Sequence, residues 1–248
     1  MLRPDPSPGD EERPGIIAAM LARRSIREGF DHRPIPGTIM REIVRCGLAA
    51  PSSKNAQPWR MHVVTDREVL AAMADVVEQA EGADEYVPHD PATGQPRPAY
   101  VSTVRESAQV LREVSAAIFM ENRGLFSNGR SALASASRPA LAGSLVGFGL
   151  EMVGIGTAIE NMWLAAEALG VRVAFMGEVA IAEDEICRRL HIAGDLVGVL
   201  ALGFSDVPRP ARRQRLDEQD ADHVVWHEPE ADTGQRDAGS SALPAPAT

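Results

Sequence analysis

Residues 49–64, AAPSSKNAQPWRMHVV, join a helix to a strand through an unusually polar connection. Before them, Ile39, Ile43, Val44 and Leu48 recur at helical spacing, which predicts an amphipathic helix. After them, the segment RMHVVT alternates and carries β-branched residues, which predicts a strand. One residue that tolerates a positive φ angle is enough to reverse a chain, so this row of small donors and acceptors indicates a loop that holds something.

The same two patterns recur along the chain in irregular order. Helices are predicted at residues 15–25, 66–80, 104–114, 140–170 and 182–190, and strands at 115–122, 173–176 and 195–204. Residues 82–102 form a long polar, Pro-rich connection, and residues 127–140 are predicted to be a loop. Short strands and long helices in this order indicate an α+β domain rather than a doubly wound parallel sheet.

Composition limits the location and the partners. The net charge is −10, from 25 basic and 35 acidic residues, which disfavours a general nucleic-acid or anionic-membrane binder. No apolar run reaches the roughly 18 residues of a membrane helix, and the N-terminus, MLRPDPSPGDEERPG, is charged and Pro-rich. Cys46 and Cys187 each lie in a predicted helix, so they provide neither a disulfide framework nor a zinc site. We therefore expect a cytoplasmic protein that binds neither nucleic acid nor membrane.

The two ends of the chain are predicted to be flexible tails. Residues 1–14 and 229–248 are rich in Pro, Gly, Asp, Ser and Ala, and they carry almost no large apolar side chains. They would bury too little surface to offset the loss of chain entropy. The overall hydrophobic content of 44% is ample for a core between them, so we expect a single domain over residues 15–228.

Several familiar catalytic patterns do not occur in the sequence. Gly154 and Gly156 lie in a predicted helix without a third glycine or a preceding strand, which indicates helix packing rather than dinucleotide binding. His223 and His227 would lie about 13 Å apart in an extended segment, too far for one metal ion. There is no Gly-x-Ser-x-Gly elbow and no Cys with an evident His partner. We therefore predict no metal site and no covalent hydrolysis.

Three sets of polar residues suit a large anionic cofactor. Guanidinium groups offer planar forks of donors to phosphate, and hydroxyls and amides suit the rim of a heterocycle. Each set also has a plain structural explanation: a solvated helix end, a capped loop and an unbound tail. The sets are Arg23, Arg24, Ser25 and Arg27; Ser52, Ser53, Asn55 and Gln57; and Arg212, Arg213 and Arg215.

The order and spacing of these sets resemble the nitroreductase family of FMN-dependent oxidoreductases, over about residues 15–227. The two most specific stretches are RRSIREGF at residues 23–30 and AAPSSKNAQPWRMHVV at residues 49–64. The supporting stretches are Pro34-Ile35, GTAIENMWLAAEALGV at 156–171, VAFMGE at 173–178, LVGVLALGF at 196–204, and an Arg-rich tail that ends in HVVWH at 223–227.

The resemblance implies an FMN site. Arg27 would lie near the N1 and O2 edge of the isoalloxazine ring, where a fixed cation stabilises the negative charge that reduction builds up. The other contacts that it implies are Arg23, Arg24 and Ser25 at the ribityl phosphate; Pro51, Ser52, Ser53 and Asn55 along the ring and ribityl chain; Gly177 and Glu178, with a backbone N–H at flavin N5; and Arg212 or Arg213 at the phosphate.

The resemblance also implies the fold and the assembly. The fold would be a mixed, mainly antiparallel sheet flanked by helices, in an intertwined homodimer with FMN at the subunit interface. The predicted helix 140–170 is apolar on more than one face, as an interface helix is, and residues 223–226 would be the exchanged strand. A core helix within one subunit is the alternative. Loops 82–102 and 123–139 depart from the family pattern, either as caps over the flavin or as plain surface loops.

The leading functional hypothesis is transfer of a hydride from NAD(P)H to flavin N5 and then of electrons to a small acceptor, such as a nitroaromatic or a quinone. No side chain has to act as a nucleophile, because the flavin carries the chemistry. Phe30, Phe126 and Trp163 are candidates for apolar walls of the site, with core packing as their alternative role. Two other functions stay open: an FMN-dependent oxidase or dehydrogenase of a specific metabolite, and a flavin-binding protein without turnover.

Overall fold

The structure, a computed structural model, describes residues 15–84, 89, 93–95, 102–209 and 223–225. The chain divides into two units, and the elements below belong to the first, Met1–Arg209. Of the second, Pro210–Thr248, only residues 223–225 are described. Both predicted tails, most of the connection 82–102 and part of the exchanged strand lie outside the described residues. The domain boundaries and the exchanged strand therefore stay predictions.

The described residues form seven α-helices and four strands, in an order that matches most of the predicted elements. The helices are α1 (Gly15–Ala22), α2 (Gly37–Leu48), α3 (Arg67–Glu78), α4 (Thr103–Glu113), α5 (Gly129–Ser135), α6 (Arg138–Ala168) and α7 (Glu183–Leu190). The strands are β1 (Trp59–Val64), β2 (Ala116–Asn122), β3 (Arg172–Met176) and β4 (Asp195–Gly203), with short 3₁₀ turns at Ser53–Asn55 and Glu178–Ala182.

The four strands form one sheet in the order β1-β2-β4-β3. Trp59 of β1 lies opposite Asn122, and Phe119 of β2 lies opposite Val199. Each of the three described pairings is antiparallel, in agreement with the α+β fold and the mainly antiparallel sheet that were predicted. The strands β1 and β3 are the edge strands of the sheet. The polar loop before β1 and the segment beside β3 therefore lie at opposite edges of the sheet.

Helices cover both faces of the sheet. Phe119 and Val199 face α3, α4 and α7, whereas Ile118 and Leu200 face α2 and α6. All four side chains are fully buried, and each contributes about 1.5–3 kcal/mol of hydrophobic stabilisation. Burial on both faces explains why β2 and β4 are almost continuously apolar in sequence.

Two predicted boundaries are wrong for the same reason, a tertiary contact that local sequence does not record. α1 ends at Ala22 rather than Ser25, because Ile26 is buried and its backbone N–H donates to the Val173 carbonyl of β3 at 3.1 Å. The predicted loop 127–140 contains α5. The Arg130 N–H in its first turn donates to the Asp195 carboxylate at 2.8 Å, which fixes the start of that helix.

α6 has 31 residues and confirms the long predicted helix. One side packs on α2 and the sheet, and the other side exposes an apolar stripe. The stripe consists of Leu145, Val146, Leu150 and Val153, between 41% and 66% exposed. By length and composition α6 could also cross a membrane, as the core helix of a soluble protein often could.

Candidate functional site

The basic segment 23–27 runs beside the edge strand β3 rather than along a helix. Ile26 anchors it through its buried side chain and its hydrogen bond to Val173. Arg23 lies over the indole ring of Trp163 in α6, with its guanidinium carbon 4.4 Å from the ring centroid. The Arg23 Nε also lies 3.5 Å from a carboxylate oxygen of Glu160. Arg23 is thus held in a defined place with 29% of its side chain exposed.

The other polar residues of this segment differ in how they are held. Arg24 donates from Nη1 to the carbonyl oxygens of Leu21 and Arg23, at 3.0 and 2.7 Å, so it caps the end of α1. Arg27 has 41% of its side chain exposed, and its Nε lies 3.5 Å from a carboxylate oxygen of Glu106 in α4. Ser25 is partly buried between them. Arg24 and Arg27 do not share a helical face, because α1 ends at Ala22.

The polar loop before β1 is fixed to α6 by specific contacts. The Thr157 hydroxyl oxygen lies 2.9 Å from the Pro51 carbonyl oxygen and 2.7 Å from that of Gly154, so its one proton is shared between these acceptors. Within the loop, the Gln57 N–H donates to the Ser52 hydroxyl at 2.9 Å. Gly154 lets the loop approach the helix, since a Cβ there would lie 3.2 Å from the Ser52 Cβ. The prediction that Gly154 serves helix packing agrees with this contact.

The backbone of the same loop is strained. Lys54, Asn55 and Gln57 have φ angles of 52°, 52° and 48°, in the left-handed region that favours glycine. Asn tolerates this region, whereas Lys and Gln cost of order 1 kcal/mol each. The loop keeps this conformation because its two ends are tied to α6 and to β1. Such strain clusters at ligand sites, which agrees with the binding role expected of Ser52, Ser53 and Asn55.

The third part of the predicted site follows β3. Gly177 precedes the 3₁₀ turn Glu178–Ala182, and its carbonyl accepts from the Ala180 N–H at 3.1 Å. Gly177 and Glu178 are both partly buried. They lie at the same sheet edge as Arg23–Arg27. Arg212 and Arg213 lie outside the described residues, so their place at the phosphate stays a prediction.

Within one copy of the chain, the predicted contacts fall into two groups. The β3 group consists of Arg23, Arg24, Ser25, Arg27, Gly177 and Glu178, and the β1 group consists of Pro51, Ser52, Ser53 and Asn55. Three strand spacings, about 14 Å, separate the two sheet edges. Sheet order thus places the two groups at opposite edges, and α6 contacts both of them, at Thr157 and at Glu160.

Glu151 is a polar residue of this region that sequence reasoning missed. It lies in α6 with no exposed surface, and its carboxylate accepts four hydrogen bonds. The donors are Asn122 Nδ2 at 3.0 Å, the Phe126 N–H at 2.5 Å, the Ser127 N–H at 2.9 Å and the Ser127 hydroxyl at 2.6 Å. Burial raises the pKa of Glu151, but these hydrogen bonds outweigh it and the pKa is lowered overall. Only its place in an apolar helix could have drawn attention to it.

The candidate apolar walls have different surroundings. Phe30 and Trp163 are each 7% exposed and belong to the core, so core packing is their main role. Phe126 is partly buried, and its ring centroid lies 5.9 Å from the Lys54 ammonium. Phe126 is thus the candidate that faces the polar loop.

Clefts are also present away from the predicted FMN contacts. Two clefts of about 580 Å³ are lined by α3 with α7 and by the segment after β2, and neither contains a predicted FMN contact. Among the described residues, no three His, Cys, Asp or Glu side chains are placed to hold a metal ion. The polar groups of the predicted site thus lie at two sheet edges of one copy, outside these two clefts.

Comparison with known proteins gives the same fold. The model of the "Nitroreductase family" matches residues 20–204. The NADPH:FMN oxidoreductase of Vibrio harveyi, solved with NAD⁺, superposes with a TM-score of 0.59 at 19% identity, over 86% of this chain and 78% of that one.

Two curated relatives match shorter parts of the chain. An NADH dehydrogenase of Thermus thermophilus is 32% identical over 133 residues, which are 46% of this chain and 60% of the relative. A chloronitrobenzene nitroreductase of Comamonas testosteroni is 32% identical over 70 residues, 28% of this chain and 31% of the relative. The chain thus spans 60% or less of the length of these relatives.

Proposed function

The chain belongs to the nitroreductase family, and from this premise we propose that it is an FMN-dependent oxidoreductase. It would take a hydride from NAD(P)H and pass two electrons to a small acceptor such as a nitroaromatic or a quinone. The observation that carries the proposal is the pair of polar half-sites, a held basic segment beside β3 and a strained donor-rich loop before β1. The names of the relatives support both the cosubstrate and the acceptor class.

The donor set fits FMN in its chemistry. Arg23 and Arg24 supply guanidinium donors for a phosphate dianion, and Ser25 adds a hydroxyl. Ser52, Ser53 and Asn55 supply neutral donors and acceptors, which suit a ribityl chain and a flavin rim. In a chain of net charge −10, this local excess of donors favours an anionic ligand.

FMN, when bound, would supply the hydride-accepting atom N5. The role of the protein is then to bind, orient and stabilise. Arg27 would place a cation at the N1 and O2 edge, and a backbone N–H at Gly177 or Glu178 would donate toward N5. Neither role requires a nucleophilic side chain.

We also propose that the site is completed by a second copy of the chain. The placement of the two half-sites supports this, because the β1 group, which would line the ring and ribityl chain, lies at the sheet edge opposite the β3 group. The apolar stripe of α6 supports it as well, since Leu145, Val146, Leu150 and Val153 would lose their exposure in a dimer. Burial against a partner in the cytoplasm would explain this surface without a membrane.

Replacing Arg27 tests the assignment. Arg27→Ala is expected to weaken FMN binding by at least about tenfold, because a charge-assisted contact is lost at the ring edge. The control is Arg45→Ala, an exposed arginine of α2 paired with Glu42, which should leave the affinity unchanged. The measurement is quenching of FMN fluorescence during titration with apoprotein. Equal effects in both variants would contradict the placement of Arg27.

Anaerobic reduction of the FMN-loaded protein tests the direction of the reaction. Bleaching of the flavin band by NADH or NADPH, without another substrate, is expected for the proposed reductase. A flavin that binds tightly but resists both nicotinamides would contradict the proposed activity and favour an oxidase or a protein without turnover.

A further inference from the structure

Lys54 occupies a distinctive place in the chain. It is the single lysine, and the other basic residues among the 25 are all arginines. Lys54 lies in the middle of the strained loop with its side chain exposed. An ammonium is a compact point charge on a flexible stem, so it can follow a small anion that a planar guanidinium fork would have to meet in fixed geometry.

The surroundings of Lys54 leave its charge available. The only described contact of the ammonium is the Phe126 ring, at 5.9 Å from the centroid, near the outer limit for a cation–π interaction. Among the described residues, no carboxylate lies within 4.0 Å of it. By contrast, two arginines of the predicted site are paired with carboxylates, Arg23 with Glu160 and Arg27 with Glu106. Lys54 therefore presents a cation that the described protein does not neutralise.

Backbone contacts fix the position of Phe126, the aromatic partner of Lys54. The Phe126 N–H donates to the buried carboxylate of Glu151. Helix α6 packs closely against the Phe126 backbone at Gly147, since a Cβ added at Gly147 would lie 3.0 Å from that backbone. The Arg123 N–H donates to the Pro58 carbonyl at 2.8 Å, which ties this segment to the polar loop. The cation and the ring thus stand on two segments fixed to each other and to α6.

We propose that Lys54 and Phe126 select acceptors that carry a carboxylate on an aromatic ring, an inference that rests on the proposed function. The carboxylate of the acceptor would form a charge-assisted hydrogen bond with the Lys54 ammonium. The ring of the acceptor would contact Phe126 in an offset or edge-on arrangement. Glu151 acts as a positioning residue, because its four hydrogen bonds hold the Phe126 segment. The substrate class is therefore small aromatic acids rather than neutral aromatics.

Ligand binding tests the proposal apart from turnover. The probes are benzoate and its neutral analogue benzamide, titrated into the FMN-loaded protein while the flavin absorbance is recorded. Benzoate is expected to bind about tenfold more tightly than benzamide. Lys54→Met should reduce this ratio to about twofold or less, and Lys54→Arg, which keeps the charge in a planar fork, should give a ratio between those of Lys54→Met and wild type.

A matched control is available in Arg67→Met. Arg67 is exposed at the start of α3, at the far end of β1 and about 17–20 Å from the polar loop, and it should leave the ratio unchanged. If Lys54→Met fails to fold, acetylation of the wild-type protein serves instead, because Lys54 is the only lysine that an amine reagent can modify besides the N-terminus. Acetylation should abolish the preference for benzoate.

Turnover gives the second readout. The values of kcat/KM for 4-nitrobenzoate and 4-nitrobenzamide are compared with one nicotinamide, so the shared reductive half-reaction cancels in their ratio. A preference for the acid of about tenfold, lost in Lys54→Met, is expected. Equal use of both acceptors by a protein that binds and reduces FMN would overturn this inference alone. Failure to bind FMN would overturn the proposed function together with it.

Discussion

At the scale of single residues, a buried carboxylate and a strained loop determine the shape of the β1 half-site. Glu151 accepts hydrogen bonds from four donor groups, at the end of β2 and in the segment after it, that would otherwise be unpaired. The positive φ angles of Lys54 and Gln57 are kept because the loop is tied to Thr157 and β1. Both features place polar groups at a fixed position rather than adding to overall stability.

Replacing Glu151 is expected to destabilise the fold in a pH-dependent way. The folded pKa of Glu151 is lowered from the ordinary 4.5, so its carboxylate contribution is complete above that pH and is lost as the pH falls through the folded pKa. Glu151→Gln leaves at least one of the four donors unpaired, at a cost of about 1–3 kcal/mol near pH 7. Urea unfolding between pH 7 and pH 4 should show a smaller loss on acidification in the variant than in wild type.

The control for that comparison is Glu42→Gln, an exposed carboxylate in α2. It should follow the wild-type profile closely, since surface ion pairs contribute little. Parallel pH profiles for wild type and Glu151→Gln would contradict the role given to this residue.

The sequence nominates candidate site residues where their chemistry is local, and their contacts with FMN stay predictions. Arg23 and Arg27 stand out in RRSIR, and Ser52 to Asn55 stand out between two prolines, so sequence sufficed to nominate them. Glu151, Glu106 and Glu160 could not be nominated, because their partners lie far away along the chain. A carboxylate in a helix has no distinctive pattern until its donors are known.

At the scale of secondary structure, periodicity predicted the elements with strong patterns and failed where a tertiary contact intervened. α2, α3, α6 and the buried strands follow directly from their apolar spacing. α5 did not, because the Asp195 carboxylate that fixes its start is 65 residues from Arg130. The end of α1 was misplaced because Ile26 gains burial and a hydrogen bond at β3.

Contact between α6 and the polar loop gives a prediction at this scale. Gly154→Val would place methyl groups against Ser52 and Pro58, since even a Cβ lies 3.2 Å from the first and 3.4 Å from the second. Overpacking should cost about 1–3 kcal/mol and weaken FMN binding by displacing the loop. Gly143→Val, in the same helix with no atom within 4 Å of the added Cβ, is the control. Equal changes in stability and affinity for the two variants would contradict this contact.

At the scale of the whole molecule, the sheet order and the exposed apolar stripe of α6 are the two observations behind the proposed dimeric site. The β1 and β3 edges lie at opposite ends of the strand order in one copy, so we propose that a ligand between two copies brings the two groups together. The sequence resemblance implied this assembly. Helical periodicity alone could not distinguish an interface helix, covered by a partner subunit, from a core helix within one subunit. The exposed side chains of α6 support a partner as its cover, and the dimer remains a proposal.

Mixing of two defective proteins tests the split site. The variants are Arg23→Ala/Arg27→Ala, in the β3 group, and Ser53→Ala/Asn55→Gly, in the β1 group, where Gly keeps the positive φ without strain. Each alone should bind FMN poorly. After unfolding and refolding together, random pairing should restore about a quarter of the sites, because half the dimers are mixed and each has one intact site. No recovery in a mixture that still forms dimers would contradict a shared site.

The most direct test of the central claim is the visible absorption spectrum of the purified protein, followed by release of the chromophore and its identification by mass. The account predicts a flavin spectrum, about one FMN per chain, and loss of the flavin band on anaerobic addition of NADH or NADPH. A colourless protein that also fails to take up added FMN would contradict it.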